Sequence, residues 1–513
     1  METFYQNILF QKKVIFFSRQ KPFQKEIDGL PYPKLNSAGN FIPIRRIVHI
    51  DLTGGAFKPP YFAELFHLFK LLRVTGVLLE WDDMFPHALR LSTAINGNAY
   101  KLSEVQAILQ SAKTHGLEVI PLVQTFGHLE WILKLEQFAH LRESADHPQV
   151  LCVGNEEAWS LLKEMIDEVI QVHAKFGIRF FHMGADEVFQ IGYCNETQRE
   201  IQKLGSREKL VVWHIARTAK YIKSKYQVSV LAWHDMLIQA SMQELAAFRV
   251  TDLVEPVLWS YAEDLDQYLS PATWMALKPF PKIWVSSAFK GADGPMRYYS
   301  NPIHYIRNNQ AWVLQMRANY LDFNFIQGII LSGWSRYDHL AVLCELFPVG
   351  IPSLAMSLET IIEGNKLIEY PYTISVLKCK APVEPGFTFG CRFPGRKIYE
   401  LVNEFREQHE QLKIYKETDF ELNGWLSNIA KSFSVSSPMY VEKIIKLVES
   451  YLAPLERLEH DLRVQMGSIY FNDTINEFLF TYVANDLLFL RERYNIALKI
   501  IKQKHFPKRP FFT

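Results

Sequence analysis

The chain has 513 residues, 48% hydrophobic and 22% charged, with a formal net charge of +1. That length exceeds one ordinary core and predicts two or more domains, while the near-neutral balance leaves no global field to select nucleic acid or an acidic partner. Five cysteines, Cys152, Cys194, Cys344, Cys379 and Cys391, are scattered, odd in number and without a CxxC pair, which predicts neither a disulfide framework nor a zinc site and suits a reducing compartment.

Residues 1–42 are rich in Lys and Gln, then punctuated by Pro and Gly, and read as an N-terminal extension or linker. The apolar stretches 8–10 and 14–17 are too short for a secretory h-region. No run is long enough to span a bilayer, so no membrane span is expected. From residue 43 short apolar runs recur, each followed by a helical pattern. Strands are predicted over 46–51, 75–80, 117–124, 179–188, 228–233, 253–259, 282–288 and 326–333. They are continuous apolar runs, as strands of a parallel sheet buried on both faces must be. Between them, helices are predicted over 61–72, after a capping box Ser103-Glu104-Val105-Gln106 with Gly116 as the stop, from an Asn155 cap to Phe176 with Gly177 behind it, from Ser206 to Tyr226, over 301–318, and over a Pro-interrupted 342–363.

This alternation predicts an α/β fold, a (β/α)8 TIM barrel spanning residues 43–365. A doubly wound open sheet is the alternative, but Asp51-Leu52-Thr53-Gly54-Gly55 after the first strand is not the GxGxxG turn such a sheet would want. Residues 366–513 form a helical C-terminal region, with apolar spacing over 402–416, 438–462 and 476–502. Such a region packs on the barrel or mediates self-association, which makes a homodimer credible. The basic stretch 499–509 reads as a solvated tail.

In a (β/α)8 barrel the active-site groups stand at the C-terminal ends of the strands. Here those ends carry Asp51, Glu80-Trp81-Asp82-Asp83, Gln124 to His128, Asp186-Glu187, Trp233-His234-Asp235, Trp259-Ser260-Tyr261, Phe289-Lys290 and Trp334-Ser335-Arg336. The strand starts carry ordinary Arg, Lys or Gly, and this asymmetry points to an enzyme. The densest feature is Asp186-Glu187, where an apolar run stops at a small-residue turn. Two adjacent acids at the end of a buried strand can be forced to different pKa values, as acid–base chemistry near neutrality requires. A helix N-cap with a surface salt bridge is the alternative reading.

Carboxylates among tryptophans suggest a sugar site, with Trp81, Trp233, Trp259 and Trp334 either walling a pyranose or simply closing the barrel top. His128, His182 and His234, with Asp186 or Asp235, lack HExxH-like spacing, which disfavours a catalytic metal. No GxSxG elbow or P-loop occurs, and Cys194 reads as a plain buried thiol. Adjacent carboxylates on a strand point to opposite sides, so they cannot easily flank one glycosidic bond from both faces. They suit substrate-assisted catalysis, in which the sugar's own 2-acetamido oxygen attacks the anomeric carbon. One acid then protonates the leaving oxygen and its neighbour orients the acetamide.

At this point Gly184-Ala185-Asp186-Glu187-Val188 resembles the acid-pair motif of glycoside hydrolase family 20, the β-N-acetylhexosaminidases, closest to the hexosaminidase D branch. The segments 120–128, 253–259, 287–292, 328–339 and 342–346 resemble the same branch, so the likeness covers the barrel. The resemblance implies that Glu187 is the general acid and later the base, and that Asp186 holds the acetamide N–H and stabilises an oxazolinium-like intermediate. It implies that Trp233, Trp259 and Trp334 wall the sugar and that Tyr261 donates to the acetamide oxygen. Asp51, His128, Asp235 and Arg336 are expected sugar contacts by rim position. It further implies no metal or organic cofactor, a glycan or glycoconjugate partner with a terminal β-linked N-acetylhexosamine, and residence in cytoplasm and nucleus. His234 and Ser260 depart from the branch, which reads Asp at both places. A catalytically weak or silent carbohydrate-binding barrel is therefore the alternative function.

Overall fold

The computed structural model describes residues 25–364, 369–380 and 390–512, so expectations for residues 1–24 lie outside the described residues. Eight parallel strands, β1 (Arg45–Asp51), β2 (Gly76–Glu80), β3 (Glu118–Leu122), β4 (Phe180–His182), β5 (Ser229–Trp233), β6 (Val254–Trp259), β7 (Lys282–Lys290) and β8 (Phe325–Gly333), form a closed barrel. Pairing of Gly328 to Leu331 with Arg45 to Val48 joins β8 to β1 and completes the ring, which rules out the open doubly wound sheet. Alternation divides each strand between two cores. Ile47, Leu78, Ile120, Leu231, Val257, Trp284 and Ile330 fill the barrel interior. Val48, Ile50, Val77, Leu79 and Val230 face the surrounding helices in one continuous outer core.

The β4 strand is much shorter than the apolar run 179–188 predicts. Its backbone stays hydrogen-bonded to β5 only as far as Gly184, with Met183 N donating to Leu231 O at 2.8 Å and Gly184 O accepting from Trp233 N at 3.0 Å, and the apolar Ala185 and Val188 are buried in the loop that follows. Burial of an apolar run does not require strand pairing. Asn155 caps its helix as expected, its side chain accepting from Glu157 N and Ala158 N, and Ser206 caps the next by accepting from Lys209 N. The Ser103 capping box does not form. That helix starts at Leu102, and the Glu104 carboxylate takes the Lys101 N–H at 2.7 Å.

Residues 25–42 pack at the N-terminal end of the barrel. Strands Lys25–Ile27 and Leu30–Tyr32 pair as a hairpin, Phe41 is fully buried, and Asp28 forms ion pairs with Arg45 and Arg179. At the other end of the chain, helix Arg396–Thr418 packs on the barrel helix Phe347–Glu363 and is followed by Pro438–Gly467 and Ala484–Lys502. No helix among the described residues is long and apolar enough to cross a membrane.

The cysteine expectation is overturned. Cys152 pairs with Cys194 and Cys379 with Cys391 in two disulfides, and only Cys344 is free. The first pair is 42 residues apart in sequence, and the hairpin of strands Arg142–Ser144 and His147–Leu151 brings it together.

Candidate active site

The loop after β4 determines the geometry of the acid pair. Gly184, Ala185 and Glu187 all have positive φ, at 62°, 70° and 47°, and such strain in residues other than glycine persists where the surroundings over-determine it. Those surroundings are visible. Gly184 N donates to His182 Nδ1 at 3.0 Å, and Thr125 Oγ1 donates to Met183 O at 2.6 Å. A Cβ at Gly184 would lie 1.9 Å from Gln124 Oε1, and one at Gly127 would lie 2.6 Å from Asp186 O. Asp235 holds the turn from behind, its Oδ2 accepting from Glu187 N at 2.8 Å and its Oδ1 from Trp259 Nε1 at 3.1 Å. Burial, then the nearby charge of Asp186, pushes the Asp235 carboxyl up to about 7.

The left-handed turn defeats strand alternation. Asp186 Oδ2 and Glu187 Oε2 each lie 3.5 Å from His128 Nε2, so the adjacent side chains converge on one point. Burial opposes the His128 charge, but Asp186 and Glu187 outweigh it and raise its pKa well above 6.5. The Asp186 side chain is 9% exposed and that of Glu187 40%, so one acid lies deep and the other faces the opening.

Both acids line a cavity of about 320 Å³ at the C-terminal mouth of the barrel, within the roughly 300–1,000 Å³ typical of small-molecule sites. Trp259, Tyr261 and Trp334 form one wall; Asp51, Glu80, Asp82 and Gln124 form another. Tyr261 Oη accepts from Trp334 Nε1 at 3.1 Å and donates to Ser332 Oγ at 3.3 Å, which fixes the two rings relative to each other. Asp51 accepts from Thr53 N at 2.9 Å and Ser335 N at 2.7 Å, tying the ends of β1 and β8 together. Glu80 meets His49 Nε2 at 3.0 Å and accepts from Gln124 Nε2 at 3.2 Å. Burial, reinforced by Asp51, raises Glu80 well above the carboxylate range, and burial lowers His49 to about 4.

Several expected contacts sit elsewhere. Trp81 is buried outside the barrel interior, its Nε1 donating to His173 Nε2 at 3.1 Å. Trp233 lies one layer below the cavity in the interior core, its ring 4.4 Å from His182. Asp235 supports the acid turn and does not line the cavity. His234 and Ser260 are also buried away from the lining, with His234 Nδ1 accepting from Trp259 N at 3.4 Å. Arg336 does line the cavity, but its donors are committed to protein groups. The cavity also includes Glu130, Tyr337, Asp338 and His339. The strand-end rule missed these because they stand several residues beyond the ends of β3 and β8.

A family description, glycosyl hydrolase family 20, catalytic domain, matches residues 76–261. With a relative 36% identical along most of its length, the chain belongs to glycosyl hydrolase family 20 and is a glycoside hydrolase. That relative is hexosaminidase D of Homo sapiens, aligned over 445 residues that cover 85% of this chain and 90% of the human protein. Hexosaminidase D of Bos taurus is 43% identical over 325 residues, 62% of this chain and 92% of the bovine one. Among solved structures, the β-N-acetylhexosaminidase of Bacteroides fragilis NCTC 9343 is similar with a TM-score of 0.48 and 15% identity, covering 66% of this chain and 70% of that one.

Proposed function

We propose that this hydrolase is an exo-acting, retaining β-N-acetylhexosaminidase that releases terminal N-acetylgalactosamine or N-acetylglucosamine by substrate-assisted catalysis. One observation carries the reading. Asp186 lines the cavity, and its buried Oδ1 has no hydrogen-bond partner among the described residues, while the side chain of Glu187 beside it is 40% exposed. An unpaired buried carboxylate oxygen costs roughly 1–3 kcal/mol or more, and an acetamide N–H is a donor that would satisfy it.

In this mechanism Asp186 Oδ1 accepts the acetamide N–H and turns the acetamide carbonyl oxygen toward the anomeric carbon. That oxygen forms a bond to C1 as the glycosidic C1–O bond breaks, and Glu187 gives its proton to the departing oxygen. Charge on the cyclic oxazolinium is balanced by Asp186. Glu187, now a carboxylate, takes a proton from water as the water oxygen attacks C1 from the side the aglycone left. The acetamide re-forms, and two inversions give net retention. Trp259 and Trp334 supply the apolar surface for the sugar's C–H face, with Tyr261 beside the acetamide. His128 holds the two acids in register.

The departures His234 and Ser260 take no group from the cavity lining, which supports an enzyme over a silent sugar-binding barrel. Glu187→Gln is expected to abolish release of 4-nitrophenol from 4-nitrophenyl β-N-acetylgalactosaminide and glucosaminide while the melting temperature is kept. Undiminished turnover refutes the proposal. For location we propose cytoplasm and nucleus, on the likeness of the barrel segments to the hexosaminidase D branch. In such a compartment the glutathione pool holds cysteine pairs reduced. Acid-quenched cells denatured in an alkylating reagent should then show Cys152 and Cys194 as modified free thiols, and both escaping modification until reduced would place the protein in an oxidising compartment.

A further inference from the structure

The Arg336 guanidinium lies against the backbone of the loop after β1, where a Cβ on Gly54 would come within 2.3 Å of its Nη2. Its five N–H groups are all used. Nε donates to Thr53 O at 3.3 Å, Nη2 to Gly54 O at 3.3 Å and Nη1 to Ala341 O at 2.6 Å. The other two donate in parallel to the carboxylate of Glu477, with Nη1 to Oε1 at 2.7 Å. Glu477 belongs to the C-terminal helix Asn472–Phe478, more than a hundred residues beyond the barrel. Paired, charge-assisted bonds of this kind fix geometry as well as adding energy.

We propose that Glu477 is a positioning residue for the active site, so that the C-terminal helical region completes the cavity rim through Arg336. Neighbouring contacts join the same elements. Glu477 Oε1 accepts from Leu343 N at 3.2 Å, Thr474 Oγ1 donates to Gly54 O at 3.3 Å, and Tyr482 Oη donates to Leu343 O. One short helix thus holds both the loop after β1 and the loop after β8. The helix passes directly into a π-helical turn, Leu479–Val483, a widened geometry found often at functional sites. The effect on the cavity follows from charge. The lining contains Asp51, Glu80, Asp82, Asp186 and Glu187. Without Glu477, two Arg336 donors lose their carboxylate while the guanidinium still lines a cavity rich in carboxylates. Arg336 then turns inward and competes with the sugar, while the acid turn after β4 stays in place.

The kinetic consequence rests on the hexosaminidase proposal; the structural one does not. Glu477→Gln keeps the size and one acceptor, whereas Glu477→Ala removes both. With 4-nitrophenyl β-N-acetylgalactosaminide, KM is expected to rise about tenfold in the Ala variant and less in the Gln variant, with kcat within about threefold of wild type. Adding Arg336→Met to Glu477→Ala should lower KM again, which a general loss of stability would not do. Hydrogen exchange on the full-length protein should show faster exchange over 53–57 and 336–343 in Glu477→Gln and none in the barrel strands. Unchanged exchange in those two segments overturns the proposal whatever the activity, and so does a rise spread evenly over the barrel. If the Glu187→Gln test removes the hexosaminidase reading, the exchange result still decides this one.

Discussion

Asp235→Asn should reverse the sign of its effect on stability with pH. Asp235 is raised from 3.8 to about 7 by burial and then by Asp186. Below about pH 4 it is neutral in both folded and unfolded chains. Between about 4 and 7 only the unfolded chain gives up the proton, so folding stability falls as pH rises through that window and levels off above it. At about 1.36 kcal/mol per pH unit the full change is about 4 kcal/mol, of which about 3 falls between pH 5 and 8. Asparagine cannot ionise and does not undergo that loss. It does give up one of two acceptors, for Glu187 N or for Trp259 Nε1, at a cost of about 1–3 kcal/mol that does not vary with pH. The variant should therefore be less stable than wild type near pH 5 and as stable or more stable at pH 8. Urea unfolding followed by tryptophan fluorescence at pH 5, 6, 7 and 8 measures this. A wild-type-minus-variant difference that stays constant within about 1 kcal/mol across the series would refute the reasoning.

Gly127→Ala puts a Cβ 2.6 Å from Asp186 O and must push the acid turn outward; because misplacement by about 1 Å can cost about a hundredfold, kcat should fall at least tenfold while the circular dichroism spectrum stays native. Trp233 and Trp334 should separate in kinetics. Trp334→Ala removes cavity wall and is expected to raise KM, whereas Trp233→Phe changes a ring below the cavity whose Nε1 has no partner among the described residues, so KM should stay near wild type; equal effects on KM would show the two rings misassigned.

Much of the barrel was legible because parallel strands must be apolar on both faces, and seven of the eight runs end within two residues of the observed strands. The exception, 179–188, shows where apolarity stops being informative. Ala185 and Val188 are buried in a loop with positive φ, and only Gly184 hinted at that turn. The acid pair was legible as chemistry, but its convergence on His128 was not, since it depends on Ala185 and Glu187 adopting a conformation their residue types disfavour. For the tryptophans, alternation held more information than strand-end position alone. Glu80 faces inward, so Trp81 had to face out. The Cys152–Cys194 pair, Glu130 and His339 have no local signal, because excursions between elements bring them together.

The pairing of β8 with β1 and the grip of Glu477 on Arg336 set an order on biosynthesis. The first barrel strand finds β2 soon after it leaves the ribosome, but it waits for nearly three hundred further residues before its second partner, β8, exists. The pocket's edge waits longer still, until Tyr470 reaches back to bridge Phe57 and the following helix locks down. A nascent or clipped chain ending at the barrel would have its ring and both acids yet lack the contacts from Glu477 and Thr474, so the cavity entrance is braced only near the end of translation.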